Sequence, residues 1–176
     1  MTNERGFTLA ELLVSCAVLG LVLAGIVTLQ QQGMTAYLMG SARVEVQQNA
    51  RLALDIMTRE LRSALSVTPD AACNNATNGA TTITFSDQNG TAVTYALSTT
   101  NLQRNTITLI GGVQTFRILC YASDGTTLTN GLSTLTTGVR SVKISLTTQN
   151  EDPVAAKSPG NQHAVMESTI RLRNVL

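Results

Sequence analysis

The sequence predicts an α+β fold: one long N-terminal helix followed by an antiparallel β-sheet domain. Three observations predict it. From Leu12 to Leu29 the chain is apolar or small apart from Ser15 and Thr28, and no charge follows Glu11 until Arg43. Apolar residues then recur at spacings of three and four as far as Ala64, with no proline before Pro69. Beyond Cys73, Thr, Ser, Asn, Gly and branched aliphatics dominate, a composition suited to antiparallel sheet with one solvated face.

Taken in order, residues 7–29 form the first element. As a helix they span roughly 30 Å, the thickness of bilayer hydrocarbon, so this stretch is read as a transmembrane helix. Glu11 near its start is anomalous. A carboxylate in hydrocarbon costs about 2.5–3.5 kcal/mol, so it needs a partner or an interfacial position. A plain signal anchor with Glu11 at the headgroup boundary satisfies the physics alone. Ala17, Gly20, Ala24 and Gly25 offer surfaces for close helix approach, although small residues are common in any membrane helix.

The cluster Gln30-Gln31-Gln32-Gly33 marks the exit from lipid, and residues 30–65 continue as an amphipathic helix. Its apolar stripe is Leu38, Ala42, Val46, Ala50, Ala53, Met57, Leu61 and Ala64, expected to pack on the sheet. Arg51, Asp55 and Arg59, four apart with alternating sign, support the solvated face. Gly33 and Gly40 are soft points, each costing about 1 kcal/mol relative to Ala.

Residues 66–176 make the sheet domain. Ser66 to Ala80 reads as a loop, with Pro69 and Asp70 ending the helix. Strands are expected at Thr81–Ser86 and Ala92–Ser98 around an Asn89-Gly90 turn, with a weaker strand or pair of short strands over Leu102–Leu109. After Gly111-Gly112 comes Val113–Tyr121, with Phe116, Ile118 and Cys120 on one face. Thr126 to Gly138 reads as a turn and variable surface. Val139–Thr148 alternates most clearly, Asn150–His163 reads as an exposed loop, and Met166–Arg173 closes the sheet with Ile170 and Leu172 inward.

The chain has 176 residues, enough for one domain beyond the helix, and a formal net charge of +1, so bulk charge nominates no acidic partner. Arg43, Arg51, Arg59 and Arg62 are interspersed with acids and read as a solvated face, which argues against direct nucleic-acid binding. His163 has no cysteine or carboxylate at metal-site spacing, Asp124-Gly125 lacks the rest of a calcium loop, and Gly111-Gly112 is not a phosphate loop. Ser123 and Ser158 lack a nucleophile-elbow setting. Asn75-Ala76-Thr77 and Asn89-Gly90-Thr91 match the glycosylation pattern but read as turns. The expectation is no enzyme, no metal site and no cofactor.

Arg5-Gly6, Phe7-Thr8-Leu9 and Glu11-Leu12 ahead of the apolar run resemble the class III signal of type IV pilins and pseudopilins. Ordinary secretory signals place a small-residue cleavage site after the apolar core instead. The resemblance implies that residues 1–6 are a leader, that prepilin peptidase cuts between Gly6 and Phe7, and that Phe7 becomes the N-methylated first residue. Glu11, fifth in the mature chain, would meet the amine of a neighbouring subunit in assembly, the partner its burial requires. The resemblance also implies a pilin-like fold, a single-pass precursor in the bacterial inner membrane with the C-terminal domain in the periplasm, and later residence in a pilus or at its tip. In that exported setting Cys73 and Cys120 are disulfide candidates, the alternative being two buried thiols. Such a bond would be worth about 4 kcal/mol on the chain-entropy estimate. Cys16, in the apolar helix, reads as a packing residue.

The stretch from Gln48 to Arg62 resembles the helix of PilW-type minor pilins, related to the J-type minor pseudopilin of type II secretion. Val93 to Leu97, Leu102 to Arg104, and Thr169 to Asn174 are similar to that group. This implies a minor pilin acting with other minor pilins and the pilus assembly machinery, with indirect roles in adhesion, twitching motility or DNA uptake. The alternatives are a type II secretion pseudopilin and, more remotely, a membrane-anchored exported binding protein or enzyme.

Overall fold

The computed structural model describes residues 6–126, 139–150 and 161–173. Residues 1–5 of the expected leader, most of the Thr126–Gly138 surface, residues 151–160 of the expected loop and Asn174 lie outside the described residues.

A single helix, α1, runs Leu9–Ser63 without interruption through Gly33 and Gly40. Thr8 is its N-cap, and Ala64 ends it by leaving helical geometry at φ −61° and ψ 140°. The stop is not Pro69, as expected, but capture by the sheet: the Leu65 N–H donates to the Ser86 carbonyl at 2.9 Å.

The expected loop from Ser66 therefore begins with a strand. β1 (Ser66–Pro69) pairs antiparallel with β2 (Thr82–Ser86), and a short 3-10 turn, Ala71–Asn74, follows. Pro69 is tolerated at the end of this edge strand, where a missing N–H does least harm. Asp70 caps the 3-10 turn, its Oδ1 accepting the Ala72 N–H at 3.0 Å.

The antiparallel meander continues through β3 (Ala92–Ser98), β4 (Asn101–Arg104) and β5 (Ile107–Ile110). The β2–β3 turn is held by Asp87, whose Oδ1 accepts the N–H groups of Asn89 and Thr91, both at 2.8 Å. Of the two readings of Leu102–Leu109, one weak strand or a pair of short ones, the structure has the pair, a hairpin turned by Asn105 and Thr106 at φ 49° and 72°.

The sheet does not continue past Gly112. β6 (Val113–Tyr121), β7 (Ser141–Gln149) and β8 (His163–Arg171) form a separate three-stranded antiparallel sheet, so the one sheet expected is two. Gly112 makes the break possible. It has φ +67°, and a Cβ there would stand 2.1 Å from the Gln149 carbonyl oxygen. Only glycine lets the two backbones approach that closely.

Helix α1 lies chiefly on β8 and β7. Val46, Ala50, Ala53, Leu54, Met57 and Leu61 are buried against the sheets with Phe85, Tyr95, Phe116, Ile118, Ile144 and Leu146. The stripe begins later than its periodicity suggests: Leu38 is exposed and Ala42 half-buried, whereas Leu54, outside the expected stripe, is buried. The sheet reaches the helix only at Val46, whose carbonyl accepts the buried Thr148 hydroxyl at 3.1 Å. At the other end His163, expected in a loop, is the first residue of β8 and pairs with Gln149.

Candidate assembly site

The N-terminal end of α1 is built by four residues. Thr8-Leu9-Ala10-Glu11 forms a capping box: the Thr8 hydroxyl accepts the Glu11 N–H at 3.3 Å, and Glu11 Oε2 accepts the Thr8 N–H at 2.9 Å. The Thr8 hydroxyl also donates to Oε2 at 3.0 Å. These bonds fall on one carboxylate oxygen, so among the described residues Oε1 carries none. A carboxylate accepts at both oxygens, so Glu11 can hold the helix start and still receive a cation.

Gly6 and Phe7 precede the cap in open surroundings, Phe7 being 87% exposed. Every described residue from Gly6 to Leu38 is exposed, including the leucines and valines of the apolar run. This helix is long and apolar enough to cross a membrane. The small residues Gly20 and Gly25 meet nothing within 4 Å, so close helix approach there is open sterically.

The other end of α1 is fastened to the sheet domain. Glu60 accepts the Tyr95 hydroxyl on Oε2 at 2.6 Å, and the Arg104 Nε at 3.2 and 3.1 Å on its two oxygens. A second Arg104 nitrogen lies 3.1 Å from Oε1. Burial first, then the bond to the Glu60 carboxylate, pushes the Tyr95 phenol well above its ordinary value. The bond to Glu60 raises Arg104 as well. Sequence reading missed Glu60, Tyr95 and Arg104, since an acid on a helix carries no signal of partners 35 and 44 residues away. The Thr8 cap does have a local signal, the Ser/Thr-x-x-Glu spacing of Thr8 and Glu11.

The structure joins Cys73 to Cys120, with Cα atoms 5.4 Å apart. The bond ties the segment after β1 to β6, as do the paired backbones of Ala80 and Ile118. Arg117 adds two bonds to the same segment, donating to the carbonyls of Asn78 at 3.0 Å and Ala76 at 2.8 Å. Asn75 of one acceptor pattern is engaged in this turn, its side chain accepting the Thr77 N–H at 2.9 Å. Cys16 is exposed on the apolar helix. Arg43, Arg51, Arg59 and Arg62 are all exposed, with Arg59 paired to Asp55 at 3.4 Å. Among the described residues no group of three or more His, Cys, Asp or Glu side chains could hold a metal.

Residues 1–27 match the family model for the prokaryotic N-terminal methylation motif. The chain carries the signature of a type IV pilin-like precursor. The match includes Gly6, Phe7 and Glu11 and most of the apolar run, but not the sheets. It implies processing by prepilin peptidase and a membrane-anchored precursor that assembles with pilus-type machinery. It points to a structural subunit rather than an enzyme. No curated protein matches the chain.

Proposed function

We propose that this chain is a minor pilin of the PilW type that joins a membrane initiation or pilus-tip complex and primes type IV pilus assembly. One observation carries the reading: the methylation motif opens directly into a 55-residue helix whose first half is apolar and bare, while its second half is fastened to two sheets.

The mechanism is noncatalytic. Prepilin peptidase cuts after Gly6 on the cytoplasmic side of the inner membrane, and Phe7 becomes the methylated N-terminus. The Thr8 amide and hydroxyl remain in the mature chain, so cleavage leaves the capping box intact. Glu11 Oε1 then receives the amine of a neighbouring subunit, which offsets the cost of keeping a carboxylate in hydrocarbon. Leaving lipid is tolerable because the apolar surface of residues 7–29 is buried against other helices. The sheet domain of residues 66–176 stays in the periplasm as the partner-specific part. Major type IVa pilins usually close a C-terminal loop with their disulfide, whereas Cys73–Cys120 ties the segment after β1 to β6, which supports a minor subunit over a main filament protein.

The test is crosslinking mass spectrometry of membrane and sheared-filament fractions, in the wild type and in Glu11→Ala. The reading expects crosslinks to other minor pilins and their loss in the variant, with cleavage unchanged. Crosslinks confined to secretion pseudopilins would assign the chain to type II secretion instead.

A further inference from the structure

Among the described residues the two sheets have four outer edges, and three are blunted. β1 is four residues long and ends in Pro69. β5 is equally short, and its ladder with β4 shifts register at Leu102/Gln103. The free side of β6 is bridged by Ala80 and overlain by the segment that Arg117 holds, and its ladder with β7 shifts register near Val113.

The fourth edge, β8, has none of these devices. It is nine residues long and, among the described residues, pairs in unbroken register with β7 alone. It has no proline, and the charges on it, Glu167 and Arg171, are exposed rather than turned inward. The bond from the Leu172 N–H to the Arg140 carbonyl, 2.9 Å, sets its phase. Even-numbered residues of β8 face β7, and Val165, Glu167 and Thr169 turn their N–H and C=O groups to the open side. A long unprotected edge is a template for another strand.

A cavity of about 200 Å³ lies between α1 and this edge, lined by Val44, Gln47, Gln48, Arg51 and Met166. An added strand alternates its side chains, so the one opposite Met166 on the helix side enters this cavity while its neighbours lie beside Val165 and Glu167. Val44 and Met166 suit an aliphatic chain there. Arg51 at the cavity and Arg171 along the strand favour an acid, because Glu167 is already held by Lys143 at 2.8 Å.

We propose that the β8 edge receives, by strand addition, an extended acidic segment of a different exported subunit, with an aliphatic side chain seated between Met166 and α1. A second copy does not fit. The dyad of two antiparallel β8 strands stands perpendicular to the sheet, and α1 lies along that sheet, so the dyad would point the two membrane helices in opposite directions. This exclusion of a second copy rests on the membrane reading above; the open edge and its cavity do not.

The test places a photocrosslinking amino acid at Val165, 67% exposed, in the full-length chain in its native membrane, with Ile107 on the blunted β5 edge as control. The proposal expects an adduct at Val165 with a different exported protein, mapped by peptide mass spectrometry to an extended acidic segment, and none at Ile107. Thr169→Pro removes an outward N–H without touching the β7 ladder, and is expected to cut the adduct at least about tenfold. Met166→Trp fills the cavity with every backbone donor intact, and is expected to do the same if the proline variant fails to form its disulfide. An adduct with a second copy, an adduct indifferent to both variants, or no adduct at Val165 overturns the proposal. Cleavage after Gly6 is scored in the same samples, so failure of the assembly reading is seen separately.

Discussion

The Tyr95 hydroxyl donates a 2.6 Å hydrogen bond to the Glu60 carboxylate, linking the end of the long helix to the middle of the five-stranded meander. Most of the helix packing falls on the other sheet, so this bond and the Arg104 pair are the principal polar link between α1 and the meander. Tyr95→Phe keeps the buried ring and removes the bond. The expected loss is about 1.5–3 kcal/mol, the range for hydrogen bonds to charged groups. The denaturation midpoint of the detergent-solubilised chain measures it, and an unchanged midpoint would show that Arg104 alone satisfies Glu60.

The same link sets a dependence on alkaline pH. The phenol of Tyr95 titrates higher in the folded chain than its ordinary 10.0. Its contribution is therefore complete below that value and is lost as pH rises through the elevated folded value. Wild type and Tyr95→Phe should converge in stability only in strong alkali. Difference ultraviolet titration of the two proteins should show the Tyr95 phenolate appearing above the ordinary range.

Lys143 and Glu167 work in the opposite direction. Their 2.8 Å contact holds the Glu167 carboxyl below its ordinary value, so the pair contributes above the usual carboxylate range and fades as pH falls through the lowered folded value. Glu167 is exposed and Lys143 half-buried, so solvent screens the pair, and Lys143→Ala should shift the carboxyl titration in carbon-detected NMR with little change in the unfolding midpoint.

Reducing the Cys73–Cys120 bond should cost about 4 kcal/mol, since it closes a loop of 47 residues. The loss should appear first as faster amide exchange at Ala80 and Ile118, whose paired backbones lie beside the bond. Equal exchange in oxidised and reduced protein would mean that Arg117 and the Ala80 bridge hold the segment without it.

Gly112 and Gly90 both have positive φ, but only Gly112 is also crowded. Gly90→Ala should cost about 1–2 kcal/mol for the left-handed backbone alone. Gly112→Ala must in addition push the Gln149 carbonyl away and should cost more than about 3 kcal/mol. Comparable unfolding midpoints for the two variants would show that the backbone at Gly112 yields to a Cβ beside Gln149.

The helix was legible because each of its signals is local: the apolar run from Leu12 to Leu29, a spacing of three and four, and no proline before Pro69. The strands were legible where alternation is strict, as at Phe116, Ile118 and Cys120, all buried on one face. Where contact begins was not. Leu38 and Leu61 obey the same periodicity, but the sheet extends only as far as Val46. β1 was read as loop because Pro69 is a strong breaker and nothing local shows that the strand is an edge. The division into two sheets falls at Gly112, whose positive φ and crowding by Gln149 depend on residues far apart in sequence. Within the candidate site, Gly6, Phe7, Glu11 and the two cysteines could be named from the chain. Glu60 could not, because its role comes from Tyr95 and Arg104.

The proposed assembly role requires that the chain be cut between Gly6 and Phe7 and held by Glu11. The most direct test is the intact mass and N-terminal peptide of the protein isolated from its own membrane. The account predicts a chain lacking Met1 to Gly6 and beginning at a singly N-methylated Phe7. A functional protein that keeps Met1 to Gly6, or is cleaved after the apolar run, would contradict it.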